Sequence, residues 1–383
     1  MSQHGPYLER GRGVAVLLAV VTVVGGAIAL APPARTVPGA STAGGALPRP
    51  RPPPRPLDAG AADASSANAA PDASPPYLEL DGGTLAERNQ VLLTNMRNVF
   101  GLSDGVVAEL ERVFLASDLA YIGQGNPKIT RHPMTRAECL EARARAPRLA
   151  PADPRCGAPN MVPLYDPTAG ETAASAKSCI DQFEFPNIAC EYPVVWVRAN
   201  EAQALCHALG KRLCDAHEWE GGCAGALKSP EAEYPFDPRR IQMAYDHNKD
   251  REIVWAYGKE QNQALCATAS RKSPKCLTPS WNGCGSNDYP AGSFPACVSP
   301  LGAYDLHGNV AEHMNFPRKL SELGSQGGSG ETEMKGSWFI FLREVAHLDD
   351  CRWRAPDWHV TRTNEPNSHR NYHLGFRCCR DLK

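Results

Sequence analysis

The chain has 383 residues, of which 34 are prolines and 14 are cysteines, with a formal net charge of −2 at pH 7. That balance excludes a nucleic-acid binder driven by bulk positive charge. Twelve of the 34 prolines fall within residues 31–76, among Ala, Ser and Gly, with almost no large apolar side chain. Such a segment cannot bury enough surface to offset its ordering entropy, which leaves residues 77–383 to supply the core.

From the N-terminus, residues 1–12 form a basic leader ending in Arg10 and Arg12, and residues 13–31 read GVAVLLAVVTVVGGAIALA without a charge. Nineteen residues at about 1.5 Å each nearly span a hydrocarbon layer of about 30 Å. The segment is either a transmembrane anchor or a cleaved signal peptide, and both readings export the rest of the chain. Residues 32–76 read as a disordered Pro/Ala-rich linker. Within it, Pro48–Pro56 (PRPRPPPRP) has the composition of a semi-rigid polyproline II stalk. Export also makes the cysteines legible. None precedes Cys139, their number is even, and no CxxC pair has zinc-site spacing, so disulfides are expected.

Residues 77–160 read as a helical subdomain. Val91, Leu92, Met96, Val99 and Phe100 recur at helical spacing, and Ser103 can cap a second run carrying Val107, Leu110 and Phe114. Gly- and Pro-rich loop sequence follows. Residues 161–383 change texture to short strand-like runs, many glycines and irregularly spaced aromatics. Two helices are predicted there, one capped by Asn200 and ended by Gly210, the other capped by Asp215 with Glu218 in the reciprocal position. Beyond Gly225 little regular helix is expected. Asp246, Asn248 and Asp250 imitate the start of an EF-hand loop, but Arg251 stands where glycine is required and Tyr257 where the last glutamate belongs, so they read as a solvated turn. No HExxH, GxSxG, P-loop or dinucleotide fingerprint is present.

Four blocks carry a further pattern: PVVWVRANEAQALCHALGKRLCDAHEWEGGCAG (Pro193–Gly225), SPLGAYDLHGNVAEH (Ser299–His313), MKGSW (Met334–Trp338) and HLGFRCC (His373–Cys379). In this order they resemble the formylglycine-generating enzyme, or sulfatase-modifying factor, family. The resemblance implies an α+β domain, a variant of the C-type lectin fold with low regular secondary structure. It also implies oxidation of a sulfatase cysteine to formylglycine by oxygen and a copper ion held between two thiolates, a soft ligand pair suited to Cu(I). The first thiolate position falls on Ile340, and Cys351 is the only nearby candidate for a catalytic thiol, while the family's serine is kept as Ser337. The resemblance further implies the disulfides Cys206–Cys378 and Cys223–Cys351, which would make Cys351 structural and leave no copper pair. The two tryptophans usual in the Asn-Val-Trp-Glu-Trp signature are replaced by Ala311 and His313.

One calcium site is implied at the same signature, with Asp305, Gly308, Val310 and Glu312 as ligands. The other family calcium site loses an oxygen ligand at Ala267. Two functions compete. The chain is either an exported, membrane-tethered, non-catalytic member that binds an envelope protein or glycan, or a copper-dependent oxidase. The lost thiolate favours the first.

Overall fold

The computed structural model describes residues 77–80, 82–116, 121–146, 153–233, 236–276, 281–324, 330–355 and 361–382. The proposed anchor at 13–31 and the linker at 32–76 lie outside these residues. Among the described residues no helix is long and apolar enough to cross a membrane.

The helical hairpin forms as its periodicity predicts. Helix α1 (Leu85–Phe100) starts at Thr84, whose hydroxyl accepts from the Glu87 N–H while Glu87 accepts from the Thr84 N–H. It ends at Gly101 in the left-handed region. Helix α2 (Asp104–Ala116) follows Ser103, whose hydroxyl accepts from the Val106 N–H. Their apolar faces do not form a core of their own. Leu92, Leu93 and Met96 of α1 and Leu110, Val113 and Phe114 of α2 share one cluster with Val194, Leu205 and Phe376. A third helix, α3 (Arg136–Ala144), has the same reciprocal cap between Thr135 and Glu138.

Two four-stranded sheets carry the rest. The first contains β1 (Met161–Leu164), β2 (Ser178–Asp181), β3 (Arg212–Leu213) and β8 (Cys378–Asp381), in the order β1-β2-β8-β3 and antiparallel throughout. The second contains β4 (Ala311–Asn315), β5 (Glu331–Lys335), β6 (Thr361–Arg362) and β7 (Leu374–Phe376), in the order β6-β5-β4-β7. Only the β4–β7 pairing is parallel. The chain passes from β7 into β8 across the single residue Arg377. Strands this short bury little surface alone. Seven disulfides tie them to their surroundings: Cys139–Cys190, Cys156–Cys179, Cys206–Cys378, Cys214–Cys379, Cys223–Cys351, Cys266–Cys297 and Cys276–Cys284. Such density fits an oxidising, extracytoplasmic compartment.

Three local expectations need comment. Asp215 caps α5 (Ala216–Ala224) with Glu218 in the reciprocal position, as predicted. Asn200 does not cap α4 (Ala199–Ala208). The cap lies two residues earlier, at Arg198, because Glu201 accepts from the Arg198 N–H at 2.7 Å. After the short α6 (Pro230–Glu233), the supposed turn at Asp246–Asp250 is the end of α7 (Arg240–Asp250). There Asn248 pairs with both backbone groups of Arg354, and Met243, Ala244 and His247 bury the inner face.

Near α3, Glu191 is 4 % exposed and accepts from Gln124 Nε2 at 2.7 Å and from the Tyr192 N–H at 3.0 Å. Arg136, whose Nε lies 4.0 Å away, donates instead to the Cys190 carbonyl and to Glu79. Burial therefore pushes the Glu191 carboxyl up to about 8 from 4.5. The native state keeps a proton that the unfolded chain releases above pH 4.5. Stability present in acid is thus lost as pH rises through 4.5 to 8. Urea titrations of the wild type and Glu191→Gln should show the wild type losing ground by up to about 1.4 kcal/mol per pH unit in that window. A pH-independent difference would contradict this.

Candidate functional site

The signature loop between Ser299 and β4 turns sharply, with Asp305, Gly308 and Asn309 all at positive φ. Gly308 is required twice over: its φ is +77°, and a Cβ there would lie 2.6 Å from the Ala267 carbonyl oxygen. The loop aims His307 inward, where it is 1 % exposed. Its Nε2 lies 3.4 Å from Cys223 Sγ and 3.7 Å from Cys351 Sγ, and accepts the Ala256 N–H at 3.0 Å. The proton therefore sits on Nδ1, which faces Asp349 Oδ2 at 4.0 Å. Burial, against the pull of the Asp349 and Asp350 charges, holds this imidazole below its ordinary pKa. With its one lone pair already taken by a backbone donor, His307 is not a base for the neighbouring sulfurs.

Asp349 gathers the site. Its Oδ2 accepts from Ser337 Oγ at 3.2 Å, and its Oδ1 accepts from Trp255 Nε1 at 3.1 Å and Gln261 Nε2 at 3.3 Å. Ser337 is fully buried and in turn accepts the Gly308 N–H at 2.8 Å, so its hydroxyl ties the signature loop to the Asp349 segment. Cys351 is joined to Cys223. Ile340 is 1 % exposed and packs in a cluster with Trp338, Phe339, Phe341, Val310 and Tyr372. The seven disulfides use all fourteen cysteines.

Among the described residues, two groups of ligand-type atoms lie within 4.8 Å of one another: Cys223, His307 and Cys351, and Cys214, Glu218 and Cys379. In both, the two sulfurs are bonded to each other, so neither offers a thiolate. In the second, Glu218 is held by two donors of Arg212 at 2.6 Å. The residues present do not fit a dithiolate copper ion.

The expected calcium residues surround a different partner. Glu312 on β4 takes three hydrogen bonds from the buried Arg377 guanidinium at 2.6 to 3.0 Å and one from Trp219 Nε1 at 2.9 Å. Asp305 Oδ2 accepts the Gly292 N–H at 2.5 Å. The Val310 N–H donates to Glu184, which also takes Asn309 Nδ2. Burial and the charges of Asp305 and Glu312 raise the Glu184 carboxyl well above the usual range, and burial brings Asp305 to about 6. An arginine thus already supplies the positive charge at Glu312, and its carboxylate is not a free calcium ligand.

Ala311 and His313 share one face of β4, both buried, and His313 Nε2 donates to the Val197 carbonyl at 3.1 Å. Sequence reasoning missed His307, Asp349, Glu184 and Arg377 as members of these clusters. The Arg377–Glu312 pairing had no local signal, since the two residues meet only across the parallel β4–β7 ladder.

Arg377→Met strands Glu312 beside two other buried carboxyls and should cost about 3–5 kcal/mol in urea unfolding, whereas Arg377→Met with Glu312→Met should recover most of it. EGTA should leave the melting temperature unchanged to within about 1 °C; a fall of several degrees would reveal a bound cation.

A protein-family model described as the sulfatase-modifying factor enzyme 1-like domain matches residues 128–382. No curated protein matches the chain. Among solved structures, the one titled "Crystal Structure of CarF" is similar at 13 % identity, covering 68 % of this chain and 86 % of that chain with a TM-score of 0.29.

Proposed function

The chain belongs to the sulfatase-modifying factor enzyme 1-like family, and on that premise we propose that it is an exported, membrane-tethered member that binds an envelope partner without catalysing thiol oxidation. The observation that carries this reading is the fate of the two positions where the family resemblance places copper thiolates. One is Ile340, packed in an aromatic core, and the other candidate, Cys351, is bonded to Cys223. A soft copper ion needs free thiolates, and a disulfide sulfur is a poor substitute. Family membership fixes the fold without fixing the chemistry grafted on it.

Other residues support the same conclusion. Ser337 spends its hydroxyl on the Gly308 N–H and Asp349, and His307 spends its lone pair on Ala256. Ala311 replaces a groove-lining tryptophan with a fully buried methyl group. What remains is a rigid scaffold of loops, which suits recognition of a partner. Residues 13–31 would supply the tether and 32–76 the reach.

Three measurements on the full-length chain test the reading. Unreduced, denatured protein should titrate no free thiol. Copper(I) should not bind with a stoichiometry near one under the same conditions. A cysteine-containing sulfatase-type peptide incubated with oxygen and copper should not lose its thiol. Turnover of that peptide to the aldehyde would overturn the proposal.

A further inference from the structure

Away from the signature loop, three loop segments (residues 128–133, 269–275 and 283–289) line an open cavity of about 660 Å³. Five cationic side chains line it: Lys128, Arg131, Arg271, Lys272 and Lys275. Among the described residues no aspartate or glutamate does. Lys272 is paired with Glu344, while the other four meet no carboxylate among the described residues. The interior also offers apolar surface from Ile129, Pro133 and Tyr289.

The walls are stitched together by side chains that bond backbone. Asn287 Oδ1 accepts the Arg131 N–H at 2.7 Å, and its Nδ2 donates to the Arg271 carbonyl at 2.7 Å, so one amide spans two walls. Ser273 Oγ donates to the Ile129 carbonyl and accepts the Gly285 N–H. Ser270 Oγ donates to the Asn287 carbonyl at 2.6 Å. The Cys276–Cys284 bond joins the ends of two of these segments. A Cβ at Gly285 would lie 2.5 Å from the Ile129 carbonyl oxygen, which shows how closely the backbones approach. Lys128, Arg131, Arg271 and Lys275 are exposed on neighbouring loops, and like charges gathered on one face favour the approach of an anion.

We infer that this cavity binds an anionic oligosaccharide, one carrying sulfate or carboxylate groups on consecutive sugars. The cavity is of the size that takes a small organic ligand and is too large for a lone sulfate. Four cationic residues without a carboxylate partner suit more than one anionic group, and the apolar lining from Ile129, Pro133 and Tyr289 suits sugar C–H faces. A nucleic-acid surface would extend as a stripe, whereas here the cations converge on one concavity in a chain of net charge −2. A membrane-binding face would present projecting apolar side chains, yet among the described residues none of the exposed large hydrophobics lines the cavity. This inference names a partner class for the binding reading above and takes its envelope setting from that reading.

The test titrates the full-length, disulfide-bonded chain with a heparin-derived sulfated hexasaccharide, an uncharged hexasaccharide, a short single-stranded DNA and sodium sulfate. The sulfated sugar should bind at least tenfold more tightly than each of the others, and more weakly as salt rises. Arg271→Glu with Lys275→Glu should weaken it at least tenfold. Both side chains are exposed, and circular dichroism of the variant should match the wild type. Arg97→Glu with Arg112→Glu, on α1 and α2, should leave binding unchanged. No preference for the sulfated sugar, equal binding of DNA, or indifference to the Arg271/Lys275 pair would overturn the site. A chain that oxidises the sulfatase-type peptide yet binds the sugar through Arg271 and Lys275 keeps this cavity and loses the non-catalytic reading. The reverse pattern does the opposite.

Discussion

The two sheets are joined at one buried guanidinium. Arg377 lies between β7 and β8, and its nitrogens donate to both oxygens of Glu312 on β4, to the Asp181 carbonyl at the end of β2, and to the Tyr304 carbonyl of the signature loop. Removing an arginine from water costs several kcal/mol, and the position is tenable because its donors find acceptors and a carboxylate balances its charge. Both sheets and the signature loop therefore converge on the same side chain. Its charge is also what the remaining carboxyls must share. Glu184 and Asp305 lie in the same buried cluster, and burial and mutual repulsion favour their protonated forms. One arginine thus organises the charge of the region that the family resemblance assigns to a divalent ion.

Strands of two to five residues cannot hold this arrangement by ladder hydrogen bonds alone, and the cysteines take up the task. Cys206–Cys378 and Cys214–Cys379 grip β8 through adjacent residues, tying it to α4 on one side and to the end of β3 on the other. Cross-links over such long separations remove much of the unfolded chain's freedom, on the order of 5 kcal/mol for a loop near 170 residues in the chain-entropy model. The same bonds have a chemical consequence. Every thiol spent on a staple is withdrawn from metal binding.

Much of this was legible in the sequence where the signal is local. The α1 periodicity, the Ser103 start and the Asp215–Glu218 box are read from neighbours three or four residues apart, and each appears where it was expected. Local reading also fails in identifiable ways. Asn200 looks like a cap, but Glu201 reaches back to the Arg198 N–H and starts the helix earlier. Asp246, Asn248 and Asp250 look like a turn because their polarity hides the helical stripe of Met243, Ala244 and His247 beneath them. Helix α3 was overlooked although Thr135 and Glu138 spell a capping box. The site was less legible still. His307 and Asp349 lie 42 residues apart in the chain and meet beside the Cys223–Cys351 bond, and no short-range pattern encodes that contact.

The segment after Ser337 holds its neighbours through backbone hydrogen bonds. In the enzymes this chain resembles, that stretch carries the reactive thiolates. Here Phe339 is buried, and its carbonyl accepts the Ser270 N–H at 2.7 Å, while the Leu342 N–H donates to the Thr268 carbonyl. Asn309 of the signature takes the Tyr289 N–H at 2.8 Å. The walls that carry Arg271, Lys272 and Lys275 are therefore hung from the segment that copper would occupy in a catalytic relative. Packing of Ile340 into the aromatic cluster makes that segment rigid. A rigid support is what a cluster of like charges requires, because a loop free to move would spread its cations apart before any anion arrived. At the position that the family resemblance gives to the first thiolate, the apolar Ile340 side chain thus anchors the segment from which the neighbouring loops hang.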